Sequence, residues 1–160
     1  MRYSILFLLL LLSGCGFHLR GSVELPEQWL ALHLQSPSPN SELASRVRAA
    51  LGKSGAQWLA PGSANYMLQL GSENFSRRNL SIGSNARATE FELKLSVSLR
   101  VLSGNGEEVL PKTELTTTRI ISHDPENVSG KVEESNLERA EMRVELVQQI
   151  LRRIRYLASN

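Results

Sequence analysis

The sequence predicts an α+β fold, a two-layer sandwich in which two helices pack on one face of a four-stranded sheet. Three observations predict it. Three segments alternate apolar and polar residues with a period of two, the pattern of strands with one buried face, and a fourth is rich in the β-branched residues of strands. Two other segments carry apolar residues at steps of three and four, the pattern of helices with one buried stripe. The order is strand, helix, strand, strand, strand, helix, and two layers are the economical way to bury one face of each element.

The first strand is read in WLALHLQ, residues 29–35, where Leu30, Leu32 and Leu34 share one face and Trp29, Ala31, His33 and Gln35 the other. Pro37 and Pro39 break it. Asn40 or Ser41 then offers an N-cap oxygen to a helix carrying Leu43, Val47, Ala50 and Leu51, because such side chains accept from the free N–H groups of a first turn. Gly52 or Gly55 ends that helix. A second strand places Tyr66, Leu68 and Leu70 together and becomes irregular from Gly71 to Arg78. The clearest element is ATEFELKLSVSLRVL, residues 88–102. Phe91, Leu93, Leu95, Val97, Leu99 and Val101 face one way, and Glu90, Glu92, Lys94, Ser96, Ser98 and Arg100 the other. SGNGEE is a turn signal, and the Thr- and Ile-rich run after it completes a hairpin. The last helix takes its stripe from Leu137, Ala140, Val144, Val147, Leu151, Ile154 and Ala158, widened by Ile150 and Leu157. Glu138, Arg139, Arg143, Gln149 and Arg153 are expected on its opposite, solvated side.

The N-terminus reads as a targeting segment. Arg2 precedes the apolar run ILFLLLLL, residues 5–12, and the small residues Ser13 and Gly14 lead to Cys15, the single cysteine. A charged start, a short apolar run and small residues describe a secretory signal peptide. The run is shorter than the roughly 20 residues of a bilayer-spanning helix. Leu-Ser-Gly-Cys resembles the bacterial lipobox, in which the cysteine thiol receives a diacylglycerol and the peptide before it is removed. The alternative is a free cysteine beside an uncleaved anchor, an odd residue in an oxidising compartment. Residues 1–14 are thus expected to be a signal peptide, 15–28 a lipidated tether and 29–160 one domain. The resemblance also implies an outer-membrane address, facing the periplasm, because Gly16 stands where aspartate signals inner-membrane retention.

Composition excludes several classes. The chain carries a formal charge of +2, and removing Arg2 leaves +1. A near-neutral chain has no electrostatic footprint for nucleic acid. The histidines His18, His33 and His123 stand in no metal-ligand spacing. There is no paired-cysteine motif, no nucleophile elbow and no glycine-rich phosphate loop. No cofactor, metal or catalytic residue is expected, and the chain is read as a non-enzyme. Among the basic residues, Arg152, Arg153 and Arg155 suit a helix C-terminus. Arg77, Arg78, Arg87, Arg119 and Lys131 lie at loops and strand ends, where solvated surface competes with capture of phosphate.

CGFHLRG at residues 15–21, followed by this order of elements, resembles the LptE family of LPS-assembly lipoproteins. SRVRAAL in the first helix, ATEFEL opening the long strand and HDPENVSGK before the last helix agree with it. The resemblance runs from Cys15 to about Leu157. It implies a lipid-anchored, non-enzymatic protein that plugs and helps assemble the LptD β-barrel and takes part in delivering lipopolysaccharide to the outer leaflet. It also implies lipopolysaccharide contacts through a lysine in the loop before the last helix and a basic residue near the start of the long strand. Lys131 matches the first through its distance from Asp124-Pro125. For the second, Ser84 falls nearest the family position and Arg87 lies three residues on, so Arg87 is the candidate, with Arg77 and Arg78 nearby. Two other classes compete: a structural outer-membrane lipoprotein tethering the cell envelope, and a lipid-anchored enzyme.

Overall fold

The computed structural model describes residues 25–82, 88–122 and 131–159, with backbone alone at 81–82, 88–89 and 131–134. The strands are β1 (Ala31–Gln35), β2 (Gln57–Trp58), β3 (Tyr66–Leu70), β4 (Asn74–Ile82), β5 (Ala88–Ser103) and β6 (Glu108–Ser122), and the helices are α1 (Glu42–Gly52) and α2 (Lys131–Ser159). The layering is as expected, but the sheet has six strands rather than four.

The added strands have separate origins. β2 is a two-residue edge beside β1. β4 occupies the stretch expected to be irregular. β3 and β4 lie one after the other along the same edge of β5: β3 pairs with Leu99–Ser103 and β4 with residues 88–96, both antiparallel. They are one long strand broken at Gly71-Ser72-Glu73. Gly71 packs closely there: its N–H donates to the Ser98 carbonyl, and a Cβ would lie 2.3 Å from Ser98 Oγ, so the hydroxyl would have to turn away.

The break divides the sheet. On one side it is five strands wide, β2-β1-β3-β5-β6; on the other it narrows to β4-β5-β6. β1 and β3 are parallel, so the chain must return to the same end between them, and α1 makes that return. Ser41 caps α1, its hydroxyl accepting from the Ala44 N–H at 3.3 Å. Gly55, at φ +95°, turns the chain after α1, and Gly106, at φ +87°, turns the β5–β6 hairpin. Pro111 lies where the β5–β6 register shifts, a position that tolerates a missing ladder donor.

Strand alternation sorts the faces as expected for β5. Leu93, Leu95, Leu99 and Val101 are fully buried against the helices, with Leu32, Leu34, Leu68 and Leu70 beside them. Trp29 departs from expectation. It lies in a 3-10 turn before β1, is 1% exposed, and stacks on Tyr66 at 3.9 Å between ring centroids. Leu25 is also buried, and its N–H donates to the Ser54 carbonyl. The α2 stripe is buried as predicted at Val147, Ile150, Leu151, Ile154 and Ala158, and departs from prediction toward the N-terminal end. Met142, Leu146, Ile150 and Ile154, each four residues from the last, form the buried centre, while Leu137 is 62% and Val144 44% exposed. Met142 and Leu146 carry the buried stripe at the level where Leu137 and Val144 are expected to carry it.

Leu93 and Ile120 sit on adjacent strands and opposite faces, at 0% and 65% exposure. Leu93→Ala is expected to cost about 2–5 kcal/mol and Ile120→Ala to stay within about 0.5 kcal/mol. Urea unfolding, with an unchanged slope for both, measures this.

Candidate functional site

Two of the predicted basic residues, Arg77 and Arg78, lie on β4 toward the narrow end of the sheet. Ala88 pairs with Ile82, and Glu90 pairs with both Ser81 and Ser122, so β4, β5 and β6 reach that end together. Arg87 lies outside the described residues, directly before Ala88, and Lys131 is the first residue of α2. Cys15 and the His123–Gly130 segment are also outside them.

Arg77 and Arg78 are neighbours in β4, so their side chains leave opposite faces. Arg77 is opposite Leu93, on the helix face, and its guanidinium lies 3.5 Å from the centroid of the Phe91 ring. Such a contact holds the cation over the negative ring face while the side chain stays exposed. Arg78 is opposite Glu92 on the open face and pairs with it at 3.2 Å, its side chain 70% exposed. The strand therefore separates the two arginines. Arg119 is fully engaged. Its guanidinium donates to Glu138 at 2.7 Å, to Glu141 at 2.6 Å and to Glu145. Hydrogen bonds to Glu145, Glu141 and Glu138 hold it well above the ordinary arginine range. The Thr117 hydroxyl, followed by Arg119, holds the Glu145 carboxyl low.

A second network was not expected from the sequence. The break between β3 and β4 aims Glu73 at α2. Arg143 grips its carboxylate with a two-pronged fork, Nε to Oε2 at 2.8 Å and Nη2 to Oε1 at 2.9 Å. Arg139 donates to the same carboxylate through Nε at 3.0 Å and lies over the Phe75 ring. Arg143 also reaches Glu42, in the first turn of α1, at 2.5 Å. One carboxylate thus joins the broken strand to α2 and, through Arg143, to α1. The Glu73 and Arg143 side chains are only 13% and 14% exposed. Burial alone would raise the Glu73 carboxyl, but the hydrogen bonds from Arg143 and Arg139 outweigh it and hold it below the usual carboxylate range. The Glu73 hydrogen bond raises Arg143 despite burial. The sequence carried a partial signal, since Arg139 and Arg143 are four apart and share a helix face.

α2 is therefore held by ions on both flanks, cations toward the break and anions toward β6. Its Gln149 amide donates to the Thr116 carbonyl of edge strand β6 at 3.0 Å. The opposite face of the sheet has no covering layer among the described residues. It is mainly polar: Ser76, Ser96, Ser98, Thr116, Thr118, Gln35 and Gln69 lie among charges of both signs, Arg78, Glu92, Lys94, Arg100 and Glu114, with Met67, Leu102 and the exposed Ile120 between them. Beside the break a groove of about 560 Å³ runs over this face, lined by Gln35, Gln69, Ser98, Arg100 and Lys112.

The family model described as LptE, lipopolysaccharide-assembly, matches residues 30–154. The chain belongs to the LptE family. It is 30% identical over 147 residues to the LPS-assembly lipoprotein LptE of Pectobacterium atrosepticum, covering 91% of this chain and 79% of the relative. It is 29% identical over 160 residues to the LPS-assembly lipoprotein LptE of Photorhabdus laumondii, covering 96% and 87%. Among solved structures it is similar to a lipoprotein B from Nitrosomonas europaea, with TM-score 0.76, 26% identity and coverage of 90% of this chain and 93% of the other. The rare lipoprotein B of Shewanella oneidensis matches with TM-score 0.69, 26% identity and coverage of 77% and 92%. The LptE fold of this chain thus carries its ion clamp inside the helix layer and presents a polar sheet face outward.

Glu73→Gln is expected to lower stability by about 1–3 kcal/mol, because it leaves two partly buried guanidinium groups without their carboxylate. The sign of its pH dependence follows from the depressed carboxyl. The Glu73 contribution is complete above the unfolded pKa of about 4.3 and is lost as pH falls through the lower folded value. Urea titrations from pH 7 to 3 should show the wild type converging on the variant in acid.

Proposed function

We propose that this chain is an outer-membrane lipoprotein, anchored through Cys15, that plugs and helps assemble an LptD-type β-barrel and takes part in delivering lipopolysaccharide to the outer leaflet. The observation that carries the reading is the uncovered sheet face. An uncovered face in water needs only to be wet. This one is broad, mixes charges of both signs with short hydroxyl and amide side chains, and lies on the side away from the helices. The lumen of an outer-membrane barrel is itself polar, so a sheet of this kind can fill it by exchanging hydrogen bonds rather than by apolar packing. Membership of a lipopolysaccharide-assembly family supports the same reading.

Lys131 and Arg87 are the candidates for lipopolysaccharide phosphates, with Arg77 and Arg78 as secondary ones. Arginine and lysine suit phosphate oxygens; in the sequence Arg87 directly precedes β5 and Lys131 opens α2. Arg77, held by an aromatic face and not by a carboxylate in its described contacts, keeps its donors available to an anion. Arg78 would first have to leave Glu92.

The lipidated chain, tagged and purified from outer membranes, is expected to bring down a β-barrel of the LptD type in equal amount. Recovery of peptidoglycan without a barrel would instead indicate an envelope-tethering lipoprotein. Cys15→Ala is expected to leave the domain folded and release it from the membrane, which fractionation and thermal unfolding together would show. Lys131→Glu with Arg87→Glu is expected to weaken lipopolysaccharide binding about tenfold or more at low salt, with the wild type losing the same affinity as salt rises. Unchanged binding in the double variant would remove these residues from the site.

A further inference from the structure

α1 and α2 run side by side in the same direction. Glu42, at the start of α1, meets Arg143, while Lys53 and Ser54, just past its end, line the same groove as Leu151 and Arg155. The groove holds about 350 Å³ and opens on the surface of the helix layer, away from the uncovered sheet face. Its floor is apolar, made by Ala50, Val144, Val147 and Leu151. Val144 is 44% exposed there, on a helix whose other valine in this groove is buried.

The charged residues around this floor have one sign: Arg46, Lys53 and Arg155. Arg46 already pairs with Glu42. Among the described residues, neither Lys53 nor Arg155 has a carboxylate partner, and the Arg155 Nε–H is buried without an acceptor. The described acids of α2, Glu138, Glu141 and Glu145, lie more than two turns away from Arg155 and pair with Arg119 on the far flank. An apolar floor between cations that have no carboxylate partner among the described residues is a surface lacking its complement.

We propose that this groove docks an acidic peptide segment of a protein partner, with aliphatic side chains on the Val144–Leu151 floor and carboxylates against Lys53 and Arg155. A peptide fits better than a lipid chain. From Arg46 to Lys53 the helix rises only about 10 Å, and the groove is open along its length with Ser54 and Gln148 in its walls. That accommodates a few side chains and does not enclose an acyl chain. The proposal is independent of the barrel reading, which concerns the opposite side of the molecule.

The test uses the full lipidated chain in cells, with a photoreactive benzoylphenylalanine in place of Gln148 on the groove wall. The cross-linked peptide is identified by mass spectrometry. The expected adduct is a protein segment with Asp or Glu beside the attachment point. Lys53→Glu with Arg155→Glu should lower its yield about tenfold. Lys53→Glu alone changes an exposed residue, so it should lower the yield in the same direction with an unchanged unfolding midpoint. It keeps the test decisive if the double variant does not fold. A lipid adduct, no protein adduct, or an adduct insensitive to Lys53→Glu would overturn the proposal. The same probe in place of Thr118 on the open face separates the two readings. A barrel adduct at Thr118 with none at Gln148 defeats the groove alone, and the reverse defeats the barrel reading alone.

Discussion

The Glu73 carboxylate is the contact on which the arrangement of layers depends. A strand running unbroken from Tyr66 to Ile82 would pair with β5 throughout and send no side chain out of register. The interruption at Gly71-Ser72-Glu73 costs ladder pairing, and the gain is a carboxylate placed under α2. Arg143 and Arg139 satisfy it, and Arg143 extends the connection to Glu42 of α1. The two helices are thus registered to each other and to the sheet through one group. Buried charges are tolerated only when so thoroughly paired, because each unpaired one would carry its full desolvation cost.

The same clamp explains why α2 lies where it does beyond its apolar stripe. Buried side chains of α2 begin at Met142. The described residues before it are partly or fully exposed, and they are held by Arg139 to Glu73 on one side and by Glu138 and Glu141 to Arg119 on the other. Such interactions are directional where apolar packing is not. They fix the helix over the three-stranded end without requiring apolar residues there. The consequence is a domain that buries most of one sheet face and leaves the other uncovered and mainly polar, with Ile120 exposed among its charges.

Much of this was legible in the residues. β5 announced itself by twelve alternating positions from Glu90 to Val101, and the hairpin by its Asn-Gly turn. α1 was bounded by Ser41 and the glycines after it. β4 was missed because Gly71 interrupts the alternation and Arg77-Arg78 looks like a loop when the ladder to β5 is unseen. The Trp29 placement could not be read from period two, since the residue belongs to a 3-10 turn whose burial is decided by Tyr66 on another strand. The passage of the α2 stripe through Met142 and Leu146 was hidden by Leu137 and Val144, apolar residues that tertiary packing leaves outside. At the narrow end, sequence proximity grouped Arg77 with Arg78, whereas strand geometry puts them on opposite faces. Arg119 looked like an available cation until three carboxylates of α2 were seen around it.

The measurement that tests the clamp most directly is amide hydrogen exchange of the folded chain, wild type against Glu73→Gln, at neutral pH. If one carboxylate registers both helices, protection should fall together in the first turn of α1 and in α2 before Met142, while β5 and β6 keep theirs. A change confined to residues 72–74, with both helices as protected as before, would contradict the account and leave the helix layer held by its apolar contacts alone.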